Sequence, residues 1–176
     1  MNIRIKWIVA GLAIAGAAIG AEAARANLQV TMLTKVNPQA LSLWDLTNDA
    51  QDDNGNIDAK KLSADTWAKL LVIGKSIEDG GRNLATPNGV VAAAPGAKLQ
   101  DQDGPGASKA ADVQRYIDAK PAEFRKHAAK LQSTGAAIVA AVNARNGAQL
   151  TELSNSLDEV CESCHMAFWY PNQKAP

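Results

Sequence analysis

Apolar residues recur at three- and four-residue steps along most of the chain, the period of a helix with one buried face. Leu28, Met32, Leu33 and Val36 open the first stripe, and Ala40, Leu41 and Trp44 continue it. This predicts a helix over 28–47 that breaks near Pro38, with Asn37 as an N-cap and Pro38 at the first helical position. Residues 48–61 are polar and predict a solvated turn. Ser63 then reads as the N-cap of a second helix, with Asp65 in its first turn. Its inner face is marked by Trp67, Leu70, Leu71, Gly74, Ile77 and Leu84. Gly74, Gly80 and Gly81 cost helix propensity, so they predict close packing or fraying. Residues 85–109 have no period, and Pro87, Pro95 and Pro105 exclude a regular helix through them. A long, mobile connection draped over one end is expected. A third helix begins near Asp112 and restarts at Pro121, with Phe124, Ala128, Leu131, Gly135, Ile138 and Val142 inward and Asn146-Gly147 as its stop. The fourth runs from Gln149 to Phe168, with Leu150, Leu153, Leu157, Val160 and Phe168 on one face. Four amphipathic helices with two short turns and one long connection predict an all-α fold, an antiparallel four-helix bundle.

The pattern is different at the N-terminus. Arg4 and Lys6 precede an uncharged run from Trp7 to Ala21, and small residues follow around Ala23 and Ala26. That order is the grammar of a secretory signal peptide, residues 1–26, with cleavage after Ala23 or after Ala26. The run is shorter than the ~20 residues of a spanning helix, so no membrane span is expected once the leader is cleaved. The remainder, 27–176, suffices for one domain and one core. The chain carries 18 Lys and Arg against 18 Asp and Glu. Loss of the leader removes Arg4, Lys6 and Arg25 but only Glu22, leaving 15 basic and 17 acidic residues. A slightly acidic domain without a basic, aromatic-laced patch argues against a nucleic-acid partner. A periplasmic protein is expected.

The only two cysteines stand in Cys161-Glu162-Ser163-Cys164-His165. C-x-x-C-H is the attachment signature of c-type haem: two thiols bond the haem vinyl groups and the adjacent imidazole takes one axial position on the iron. At about 100° per residue, Cys161, Cys164 and His165 share roughly a third of a helix circumference. They also share the apolar face of the fourth helix, which places one covalent haem c inside the bundle, near that helix's C-terminal end. The competing readings fit less well. A structural zinc site wants four ligands and would have to recruit distant His127. A thioredoxin-like pair belongs at a helix N-terminus after a strand. A plain structural disulfide leaves His165 unexplained. Asp52-Asp53-Asn54-Gly55-Asn56-Ile57-Asp58 has the look of a calcium loop, but Ala50 and Lys61 fall where carboxylates are needed.

A single C-x-x-C-H closing the fourth helix of a bundle, with Phe168 three residues beyond His165, resembles the cytochrome c′ family, the four-helix-bundle class of c-type cytochromes. The resemblance runs over 28–168 and is specific at the haem motif. Trp169-Tyr170-Pro171 departs from it, since a basic residue often follows the phenylalanine there, and so does the Asn37-Pro38 break. Both point to a divergent branch. The resemblance implies that the residue facing the iron opposite His165 comes from the early part of the first helix. Met32 matches that position as a candidate distal ligand, and Phe168 as a haem-pocket residue. His127 is a weaker candidate, on the flank of the third helix among Arg125, Lys126 and Lys130. Met166 points about 100° away from His165 and is none. With Met32 bound, the protein is expected to be an electron carrier serving redox partner proteins, not an enzyme. With the position open, it is a five-coordinate binder of diatomic gases such as nitric oxide or carbon monoxide. Peroxide chemistry lacks recognisable distal His and Arg machinery. A homodimer through the first two helices is a further implication of the resemblance.

Overall fold

The computed structural model describes residues 24–171, which are mostly helical. Apart from Ala24, Arg25 and Ala26, the expected leader lies outside the described residues. In chain order the elements are β1 (Ala26–Asn27), α1 (Leu28–Thr31), a π-helical turn (Met32–Val36), α2 (Asn37–Asn48), α3 (Ala64–Leu84), β2 (Val90–Val91), α4 (Ala110–Ala119), α5 (Pro121–Asn143) and α6 (Gly147–Phe168). Side-chain caps start two of the long helices. Ser63 Oγ accepts the Thr66 N–H and Asn146 Oδ1 accepts the Gln149 N–H, each satisfying a donor the helix cannot.

The helices pack as neighbours α2–α3, α3–α5, α5–α6 and α2–α6. Thr31 meets Asn83 while Lys35 meets Ser76, and Trp44 reaches Ser154, so partners ascend in one helix as they descend in the next. Two apolar clusters result. One gathers Leu43, Leu70, Ile77, Ile138, Leu150 and Leu157. The other gathers Leu84, Val90, Val113, Ile117, Phe124 and Phe168. Each fully buried Leu or Ile contributes about 1.5–3 kcal/mol. Met32 packs against both clusters, Cys161 against the first and Cys164 against the second. The two thiols therefore sit on the seam of the core.

Four expectations need correction. Pro38 does not break the first helix, and Asn37 is no cap. Its backbone is helical and its N–H bonds to Met32 O, five residues back. Proline has no N–H to offer Thr34 O, and the chain absorbs that loss as a π-turn just ahead of it. The extra residue in that turn also resets the buried stripe to Val36, Ala40, Leu43 and Thr47, leaving Leu33 and Leu41 about half exposed, at 47% and 52%. Asn146-Gly147 is a helix start: the left-handed residue after α5 is Arg145, at φ 50°, and α6 begins at Gly147. Finally, the connection over residues 85–109 is irregular but pinned. Its β2 pairs in parallel with β1, Ala92 O accepts the Gln29 N–H, and Gln114 bonds both Ala92 N–H and Val90 O. Val90 and Ala92 are buried, which explains the tethering.

Candidate functional site

The helix-compatible spacing of Cys161, Cys164 and His165 puts all three on one side of α6, facing the π-turn and α2. Between them lies a cavity of about 420 Å³. Met32, Val36, Ala40 and Trp44 wall it on one side, Cys161, Cys164, His165 and Phe168 on the other, and Leu99, Gln100 and Asp101 of the long connection close one edge. All five residues singled out from the sequence (Met32, Cys161, Cys164, His165, Phe168) thus border a single space. A void of only about 40 Å³ lies behind it, toward Phe124, His127 and Leu131. His127 borders this void and not the large cavity. Its Nδ1 is 3.4 Å from Ser163 Oγ, and its ring stands edge-on to Phe168. Met166 is not among the lining residues of either space.

Burial raises both thiols. Cys161 is pushed up to about 11, with the nearby Asp158 and Glu162 charges adding to the effect. Cys164, deeper, is pushed up to about 12. Both lie in the C-terminal half of a helix, where the backbone dipole also disfavours a thiolate. A protonated, half-buried pair is a poor redox nucleophile. Burial likewise lowers His165, against the opposing charge of Glu162, and so favours the neutral imidazole a metal requires.

Sequence reasoning missed what surrounds His165. Its carbonyl accepts two N–H groups, from Trp169 at 2.8 Å and Tyr170 at 3.0 Å, and this turns the chain back over the imidazole. Trp169 meets the His165 ring edge to face, centroids 5.0 Å apart. Tyr170 lies 5.9 Å away and its hydroxyl donates to Glu162 Oε2 at 2.5 Å. Burial, then this bond to Glu162, pushes the Tyr170 phenol up to about 12. Trp169 also lines the cavity, and its Nε1 is the one buried side-chain donor without a hydrogen-bond partner among the described residues. The signal was visible: two consecutive aromatics directly after Phe168. Asp101, Asp158 and Glu162 border the cavity, and no Lys or Arg is among its lining residues.

Comparison with known proteins adds no relative: no protein-family model, no curated protein and no solved structure matches the chain.

Proposed function

We propose that the chain is an exported c-type cytochrome of the antiparallel four-helix-bundle class, resembling cytochrome c′, that carries one haem through Cys161 and Cys164 and passes electrons to redox partner proteins. One observation carries the reading: residues 129 or more positions apart, Met32 on one side and Cys161, Cys164 and His165 on the other, border the same cavity. Its volume lies in the ~300–1,000 Å³ range of cofactor sites, and its walls are mostly apolar. The donor set fits the group: two thiols for the haem vinyl groups, and an imidazole and a thioether for the iron, all border one space. When bound, the haem iron supplies reversible one-electron chemistry. His165, whose pKa burial lowers in favour of the neutral imidazole, would hold the iron on one side, and Met32, a soft thioether that favours reduced iron, would hold it on the other. Phe168, buried and bordering the cavity, would pack against the haem.

Attachment of haem c requires export, so the N-terminal residues up to the cleavage site act as the leader. Cleavage after Ala23 is the version supported here, because Arg25 bonds Val90 O and stands 3.8 Å from Asp118, while Ala26 pairs with Val90. A cut after Ala26 would discard those contacts. The exposed Leu41 and Val72, on α2 and α3, suit the homodimer that the resemblance implies.

The test is the mass and optical spectrum of the exported protein. A gain of one haem and a low-spin ferric spectrum, converted to high-spin by Met32→Ala, are expected. Wild type that is already high-spin and binds carbon monoxide rapidly would replace the carrier with the gas-binding form. Absence of haem would overturn both.

A further inference from the structure

The residues that depart from the resembling family, Trp169 and Tyr170, form a structure of their own around His165. The departure begins with Pro171, which disfavours helical backbone at Tyr170 and so ends α6 beyond Phe168. The released chain does not leave the site. Both Trp169 and Tyr170 N–H groups return to His165 O, while Trp169 O accepts the Ser108 N–H at 2.9 Å from the opposite side. The indole is thereby fixed edge to face against the imidazole. Tyr170 is fixed at its far end by Glu162, a residue inside the C-x-x-C-H motif itself. The Trp169 N–H bond to His165 O is the closing i→i−4 bond of α6, whereas the bonds of Tyr170 N–H, Trp169 O and the Tyr170 hydroxyl lie beyond the helix and hold the two rings against one side chain.

We infer that Trp169 and Tyr170 are positioning residues that clasp His165 and keep its imidazole on the iron. The inference rests on the haem reading above. Edge-to-face packing restricts rotation of the imidazole about its side-chain bonds, because an aromatic pair prefers a defined relative tilt. A ring so restrained loses less freedom on coordination and returns to the metal faster after any dissociation. The clasp also fills the volume into which His165 would swing if it left. Tyr170 acts on both rings: it lies 5.9 Å from the imidazole and 5.9 Å from the indole, and its hydroxyl is tied to Glu162.

The test uses the exported holoprotein, reduced and exposed to nitric oxide. Nitric oxide weakens the bond to the ligand opposite it, so it challenges His165, and electron paramagnetic resonance reads whether the histidine nitrogen stays bound. Wild type is expected to keep the splitting from that nitrogen, Trp169→Ala to lose it, and Trp169→Phe, which retains an aromatic edge, to recover it. Tyr170→Phe removes a single hydrogen bond and is expected to give a partial loss. Retention of the splitting in Trp169→Ala, its loss in wild type, or failure of Trp169→Phe to recover it each overturns the clasp. Should Trp169→Ala lose its helical circular dichroism, Tyr170→Phe decides: a histidine-free fraction above wild type supports the clasp, and wild-type behaviour overturns it. A preparation without attached haem overturns the proposed function and the clasp together, whereas haem-bearing variants that all retain His165 overturn the clasp alone.

Discussion

A single added methyl group would drive α3 and α5 apart at Gly81 and Gly135. A Cβ at Gly81 would lie 2.3 Å from Gln132 N, and one at Gly135 would lie 2.3 Å from Glu78 N. The obstructing atoms are backbone in both cases, so relief requires α3 and α5 to separate. Gly81→Ala and Gly135→Ala are each expected to cost at least the ~1–3 kcal/mol of ordinary overpacking, read as a fall in the urea midpoint at constant slope. Gly74 is a milder case, because the atoms nearest its Cβ include the side-chain methyls of Ile138 and Val139 at 3.0 Å, and Gly74→Ala should cost less. Sequence reading registered the α3 glycines as weak helix formers and left packing and fraying as equal explanations. Their partners explain why it could go no further. Gly81 is required by Gln132, some fifty positions away, and no local pattern encodes that contact. Phe168 and the two thiols, in contrast, were legible because helical period alone puts them on one face.

At the scale of elements, the α2–α3 loop and the connection after α3 each contain a side chain whose bonds to backbone can be tested singly. Asp52 accepts the Asn54 and Asn56 N–H groups, both at 2.9 Å, and these bonds hold its carboxyl below the usual carboxylate range. A carboxyl whose folded value is depressed contributes stability above its unfolded pKa of about 3.9 and loses it as pH falls through the folded value. Asp52→Ala should therefore be less stable than wild type at neutral pH, and the gap should close in acid, as paired thermal melts across pH 7 to 2 would show. Gln114 serves the connection by accepting the Ala92 N–H at 2.8 Å. Ala92 is buried, so Gln114→Ala strands that donor at a cost of about 1–3 kcal/mol. Faster hydrogen exchange at the Ala92 amide, with the α3 amides unaffected, is the expected signature. Neither β1 nor β2 was foreseen, since two-residue strands carry no period. The π-turn was missed for a related reason. Pro38 signals that a backbone bond is lost, but not whether the chain answers with a break or with one extra residue in the preceding turn.

For the whole molecule, the question is whether the proposed haem would be cargo or part of the core. The seam between the two apolar clusters holds a cavity of about 420 Å³, where a well-packed interior tolerates few voids larger than a water molecule. The space opens to solvent along one edge, so water can enter it, but water is a poor filler for its apolar walls. The haem-free chain therefore gains by drawing the π-turn and α2 toward α6. The exported double variant Cys161→Ser with Cys164→Ser is expected to be colourless and to melt at lower temperature over a broader range. It should keep much of its far-ultraviolet circular dichroism while losing near-ultraviolet signal from Trp44 and Trp169, which both line the cavity. On the proposed function, the same behaviour is expected of the chain lacking residues 1–23, which would stay in the cytoplasm away from haem attachment while keeping Arg25 and β1. Haem-free protein that melts as sharply and as high as the haem-bearing form would show that the core closes without the cofactor, and would separate the cavity from the stability of the fold.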